Sequence, residues 1–204
     1  SFRISTLHQI RLHPMRKFAL LLAFIALVTS LVSCNQQVKE ERLQRIDSLG
    51  IHLNYVSETL NDVDSVMLMN RIGDVDRTST WVYDNVTDTL ERKPGLAFGD
   101  FQRSKKYLMQ ALARYGEVSR ELQYSQKQLE NLRKDVKESF YSEEELAGYF
   151  KTEARSIGNL VNATDELKEK YASSNGRYAA LKPVLNEIVD SIKSVIYAPG
   201  SGTR

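Results

Sequence analysis

The stretch from Leu108 to Val136 constrains the fold more than any other part of this chain. Leu108, Ala111, Tyr115, Val118, Leu122, Ser125, Leu129, Leu132 and Val136 recur at alternating steps of three and four. That spacing aligns them as one narrow stripe on a helix, in the manner of a coiled-coil seam. The positions between them are rich in Glu, Lys, Gln and Arg, so one face calls for a partner helix and the rest for water. Glu117, Glu121, Lys127, Glu130, Lys134 and Lys137 include some opposite-charge surface pairs, each contributing about 0.2–0.5 kcal/mol. Pro94-Gly95 reads as a break upstream, and Asp100 as the N-cap of this helix.

Other seams surround it. Ile46, Leu49, Leu53, Val56, Leu60, Val63 and Met67 follow the same rhythm until Asn70 interrupts it. Ser142 with Glu145 forms a capping box, and Tyr141 with Leu146 stands where a hydrophobic staple belongs, which favours a fresh helix from Glu143 to about Tyr171 through Leu146, Phe150, Ile157, Leu160 and Leu167. The stretch from Asp135 to Glu145 holds no Gly, Pro or Asn, so one continuous helix through both segments is the alternative. Ser173-Ser174-Asn175-Gly176 reads as a turn. After it Leu181, Leu185, Ile188, Ile192 and Val195 form a last short seam, with Pro183 fitting near the first turn of its helix. The fold expected is all-α: an elongated bundle or antiparallel coiled coil of three to four helices over residues 43–197, followed by a tail at 198–204 without apolar content. Ser125, Glu153 and Thr164 would be costly in a long dimeric seam, which favours helices packed within one chain.

Residues 73–99 are the expected exception, an irregular connection. The segment holds Asp74, Asp76, Thr78-Ser79-Thr80, Trp81, Tyr83, Asp84-Asn85 and Pro94-Gly95. Two short strands around Asp84-Asn85 fit it, and so does a short helix through Val75, Val82, Val86 and Leu90. Connections of such length between helices are often functional.

The N-terminus has a different character. Residues 1–33 carry Arg3, Arg11, Arg16 and Lys17 and no acid; taking those four from the chain's 28 basic groups leaves 24 against 26 acidic ones beyond. Met15-Arg16-Lys17 then leads into the apolar run Phe18 to Val32, broken only by Thr29 and Ser30. A spanning helix needs about 20 apolar residues, whereas an export-signal core needs about 7–15. Residues 15–33 therefore read as a signal peptide, and residues 1–14 as a mis-assigned start ahead of Met15.

Directly after that core stands Leu31-Val32-Ser33-Cys34, and Cys34 is the only Cys of the 204 residues. The arrangement resembles the lipobox of bacterial lipoproteins: Leu31, Val32 and Ser33 at the positions before the cleavage site, Cys34 at the obligatory one. The resemblance covers residues 15–34. It implies cleavage before Cys34, a diacylglycerol on its sulfur, palmitate-type acylation of the freed amine, and residues 34–42 as a lipidated N-terminus and linker. Two or more acyl chains suffice for stable anchoring. Asn35 in place of Asp implies the outer membrane, and Gln36-Gln37-Val38-Lys39, without an acidic run, implies a body facing the periplasm.

Composition and motifs remove most chemistry from the remainder. Residues 1–33 include two of the three His, leaving His52 beside the first seam with no second His or Cys as a metal partner. Cys-x-x-Cys, His-Glu-x-x-His, Gly-x-Ser-x-Gly and phosphate-loop patterns do not occur. Asp74 and Asp76 begin like a calcium loop, but Ser79 stands where the tight-turn Gly is needed and Asn85 where the bidentate Glu is needed. Glu143-Glu144-Glu145 suits a helix's first turn. No basic run after Cys34 is longer than two residues, as in Lys105-Lys106, so a nucleic-acid role lacks its electrostatic footprint. No cofactor or metal is expected.

Trp81, Tyr83, Phe98 and Phe101 cluster in or near the irregular connection, where rigid aromatics can anchor a partner or cap the bundle end. The expectation is a lipid-anchored, non-enzymatic envelope protein that contacts the membrane through Cys34 and a protein partner through its helices or those aromatics. A small-molecule or lipid carrier is the alternative, distinguished by extractable ligand. A carboxylate-only enzyme using Asp74 and Asp76 is a third reading, tested by activity loss in folded Asn variants.

Overall fold

The computed structural model describes the backbone of residues 13–86 and 90–197, and the side chains of those from Gln36 onward. The expected lipobox side chains of Leu31, Val32, Ser33 and Cys34 lie outside that range, as do residues 1–12 and the tail 198–204. Four helices follow in order: α1 (His13–Asp62), α2 (Ser65–Asn85), α3 (Arg92–Glu138) and α4 (Glu143–Ile196). The architecture is the expected all-α bundle, with no strand among the described residues.

Helices α1 and α2 run in the same direction, one after the other, as a single broken column. Antiparallel to that column, α3 sets Arg133 against Asp47 and Lys105 against Asp76. Parallel to it, α4 sets Glu143 against Arg42, Asp165 against Tyr55 and Tyr178 against Asp74. At 1.5 Å per residue the 47 residues of α3 and the 54 of α4 span about 70 and 80 Å. The result is a three-column rod whose seam residues meet along its axis, from Ile46, Val136 and Leu146 near one end to Val82, Phe98 and Leu185 towards the other, all buried.

The α3 seam is as read from sequence. Leu108, Ala111, Val118, Leu122, Ser125, Leu129, Leu132 and Val136 are all buried, with Tyr115 packed against them. The stripe extends upstream, however, through Phe101 and Ser104, and α3 begins at Arg92 rather than at an Asp100 cap. Pro94 occupies the third helical position, where its missing N–H would have had no partner inside the helix, and Gly95 N–H closes the first turn onto Glu91 O at 2.9 Å. Pro94-Gly95 is thus part of the helix's first turn.

The capping box at Ser142 is present: Glu145 N–H donates to Ser142 Oγ at 3.4 Å, and Ser142 N–H donates to Glu145 Oε2 at 2.9 Å. It starts α4 after a short hairpin in which Ser139 takes the left-handed conformation, φ 57°. Of the two readings of this region, the break is the one found.

Two other expectations are corrected. Residues 73–99 are not an irregular connection, since α2 continues to Asn85 and α3 resumes at Arg92. The burial of Val75 and Val82 decides for helix over strand, because those positions share one helical face. Residues 173–176 are not a turn but the interior of α4: Ser174 is buried in the seam and its Oγ donates to Tyr171 O at 3.1 Å, while Asn175 Oδ1 accepts from Arg71 at 2.6 Å. Pro183 consequently lies deep inside α4, where it removes the bond to the Ala179 carbonyl.

The first seam ends before Asn70, at Val63-Asp64. Val63 is buried and Asp64 caps α2, accepting from Met67 N–H at 2.7 Å. Beyond this break the buried positions are Leu68, Val75 and Val82, with Ile72 packed against them, so the stripe has moved one residue along from the expected Met67. Asn70 is exposed on α2.

Candidate functional site

The re-phased α2 turns a row of polar side chains towards α4. Asp74 accepts from Tyr178 Oη at 2.6 Å and pairs with Lys182 Nζ at 2.7 Å. Burial alone would raise the Asp74 carboxyl, but the bonds from Lys182 and Tyr178 outweigh it and hold the group below its ordinary range. Burial, together with the same bond to the Asp74 carboxylate, pushes the Tyr178 phenol up to about 12. Arg71 lies 4.8 Å from the centre of the Tyr178 ring. This network ties α2 to α4 midway along the upper rod, and it gives Asn175, read as a turn residue, a partner in Arg71.

Beside the network opens a groove of about 320 Å³ between α2 and α4, lined by Arg77, Thr78 and Trp81 from one helix and Lys182, Asn186 and Lys193 from the other. Helical spacing places Arg77, Thr78 and Trp81 on adjacent turns of one face. Gly73 gives the Arg77 guanidinium room, since a Cβ there would lie 3.2 Å from Nη1. Lys182 reaches Thr78 Oγ1 at 3.5 Å. Lys193 Nζ sits 5.4 Å from the centre of the Trp81 ring, with Asp190 at 3.8 Å as a loose carboxylate neighbour. Arg77 has no ion-pair partner among the described residues. Three cations therefore face two carboxylates, with an indole as floor: an arrangement suited to a negatively charged group backed by apolar or planar surface.

The four aromatics singled out from sequence are divided by the fold. Phe101 is fully buried, its ring 6.0 Å from Tyr178, and Phe98 is buried beneath Tyr83 in an edge-on contact of 5.5 Å. Both belong to the core. Tyr83 is 66% exposed, and its hydroxyl accepts from Gln102 Nε2 at 2.8 Å. Trp81 is half-buried at the groove. Of the four, only Tyr83 and Trp81 are thus open to a partner. The basic half of the groove was missed in the sequence because Arg77, Lys182 and Lys193 are scattered; only the register of α2 against α4 collects them.

The carboxylates read as a calcium-loop start are otherwise engaged, Asp74 as described and Asp76 by Lys105 at 2.6 and 2.8 Å. His52 is exposed on α1. Among the described residues no group of three His, Cys, Asp or Glu side chains is placed to hold a metal ion, and no helix is long and apolar enough to cross a membrane. No family model matches the chain, and neither a curated protein nor a solved structure shows similarity to it.

Proposed function

We propose that this chain is a lipid-anchored protein of the bacterial envelope whose role is non-enzymatic interaction: a rod that holds a cationic, aromatic groove away from its membrane for an anionic segment of another envelope protein. The observation that carries the reading is the groove of Arg77, Lys182, Lys193 and Trp81 at the end of the rod remote from residues 36–42. The lipobox resemblance at Leu31 to Cys34 supplies the anchor and, with Asn35, the outer membrane and a periplasm-facing body. Between Lys39 and Trp81 the column of α1 and α2 rises about 60 Å at helical pitch, which would lift the groove well clear of the headgroups.

A carrier role draws less support. The apolar side chains between the columns are buried against one another, and a recess of about 410 Å³ between α1 and α4, lined by Leu49, Phe150 and Ala154 with Arg45, Ser48 and Lys151, lies on the surface. Asp74 and Asp76, the candidates for carboxylate chemistry, are each neutralised by a lysine.

The test has two arms. Intact mass of membrane-extracted protein should show a chain beginning at Cys34 with acyl mass, absent from a Cys34→Ser variant; an unmodified chain that retains residues 15–33 would refute the anchor. A photo-crosslinker placed at Tyr83 of the full chain in cells should give a discrete protein adduct that Arg77→Glu with Lys193→Glu abolishes and Lys127→Glu does not. An adduct indifferent to the groove charges, or none, would refute the interaction site.

A further inference from the structure

The opposite end of the rod carries the most exposed aromatic cluster that the groove does not explain. At the hairpin between α3 and α4, Phe140 is 67% exposed and Tyr149 is 45% exposed, with the Tyr141 ring tilted against Tyr149 at 4.7 Å between ring centres. This tip is held in place by the chain next to Cys34: Lys39 Nζ donates to the Lys137 carbonyl, and Arg42 pairs with Glu143. Lys39 and Arg42 are the fifth and eighth residues after Cys34. In the helix of α1 five residues rise about 8 Å, and fully extended they reach about 17 Å. The headgroup layer on each side of a bilayer is itself roughly 5–8 Å deep.

We propose that Phe140, with the Tyr141–Tyr149 pair, seats in the headgroup layer of the phospholipid bilayer to which Cys34 is anchored, giving the rod a second membrane contact that fixes its tilt. The proposal rests on the lipid-anchor reading. Aromatic rings with a polar rim are the side chains that settle at a membrane–water boundary. Ser139, in its left-handed conformation, ends α3 abruptly, and Phe140 follows it at the apex of the hairpin. The rim is not basic: Lys134 and Lys137, together with Lys39 and Arg42, are matched by exposed Glu138, Glu143, Glu144 and Glu145. Attraction to anionic lipid therefore plays no part, and the contact depends on ring insertion, indifferent to headgroup charge and salt. A lipid surface is favoured over a protein because the tip's lateral and axial position is fixed within a few residues of the acylated one.

The experiment uses the full chain, purified and reconstituted in phosphatidylethanolamine–phosphatidylglycerol vesicles containing a brominated phosphatidylcholine, which quenches indoles at the bilayer. Trp81 is the chain's single Trp and lies at the far end, so the unaltered protein should be unquenched. Trp81→Phe with Phe140→Trp should be strongly quenched, as for a ring seated at the membrane–water boundary, and equally in high salt. Trp81→Phe with Glu41→Trp, within one helical turn of Lys39 and on an exposed face of α1, should lose much less. Equal quenching of the two would mean mere tethering and would overturn the proposal, as would no quenching. Intact mass of the same preparations separates the two readings. An acylated chain with an unquenched tip overturns this proposal and leaves the anchor standing. An unacylated chain whose tip is still quenched supports the tip contact and overturns the anchor. A tip that instead crosslinks to protein in cells while remaining unquenched assigns the cluster to a protein partner and overturns the lipid contact.

Discussion

Replacing Ser125 by Ala should make the protein more stable, an unusual outcome for a change at a fully buried position. Ser125 lies on the α3 seam at 1% exposure, and its hydroxyl has no hydrogen-bond partner. A buried polar group left unpaired costs about 1–3 kcal/mol, and removing it recovers that cost. Ala also exceeds Ser in helix propensity by about 0.5 kcal/mol. Ser104 provides the control on the same stripe: it is equally buried, but its Oγ donates to the Phe101 carbonyl at 2.5 Å. Ser104→Ala gains the same propensity and loses a bond worth about 1 kcal/mol, so it should be close to neutral. The difference between the two variants should be at least about 1 kcal/mol, or about 2–4 °C in Tm for a domain of this size. Thermal unfolding of the full chain in detergent, followed by far-UV circular dichroism, measures it. A Ser125→Ala variant that melts at or below the Ser104→Ala variant would refute the argument, and with it the placement of the Ser125 hydroxyl in a dry seam.

Gly176→Ala should raise stability by about 0.5–1 kcal/mol, because Gly176 is inside α4 with open space where a Cβ would go; a loss in the same melt would restore the turn. The Glu153 carboxyl is pushed up by burial and by the facing Glu121 charge. Its ionised form therefore weighs against the folded state at neutral pH, so Glu153→Gln should raise Tm at pH 7. That gain should fade as the pH falls through the raised value towards the ordinary one, and a gain independent of pH would contradict it. Asp74 behaves oppositely: its lowered value contributes stability above the ordinary carboxylate range, lost only as pH falls through the folded value. Asp74→Asn should cost about 1–2 kcal/mol at neutral pH and return the Tyr178 phenol, titrated by its absorbance, from about 12 towards 10; an unchanged phenol would break the proposed network.

The helical stripes were legible because their spacing is physical. The α4 stripe runs Leu146, Phe150, Glu153, Ile157, Leu160, Thr164, Leu167, Tyr171, Ser174, Tyr178, Leu181, Leu185, Ile188 and Ile192 without losing phase. Ser173 to Gly176 looked like a turn by composition, yet the unbroken phase on either side is what a continuous helix requires and a turn would disturb. Ser174 bonds back to its own helix and Asn175 to Arg71, so tertiary partners offset weak propensity. Pro94-Gly95 misled for the same reason: Phe101 and Ser104 already continued the α3 stripe upstream, and a Pro in a first turn costs nothing in hydrogen bonds. What no local pattern could disclose was the groove, since Arg77 lies more than a hundred residues from Lys182 and Lys193 and only register unites them.

That register depends on the break at Val63-Asp64. Had α1 continued in phase, the stripe would have fallen on Met67, Asn70, Asp74 and Arg77, setting an acid, a base and an amide against the apolar faces of α3 and α4. The two non-helical residues move the stripe by one position, a rotation of about 100° about the helix axis. Leu68, Val75 and Val82 then enter the core, and Asp74 and Arg77 swing to its margin. There Asp74 meets Tyr178 and Lys182, and Arg77 and Trp81 line the groove. The same small interruption that keeps the upper core apolar is therefore what assembles the charged surface beside it, and the Asp64 cap that fixes the interruption also fixes the site.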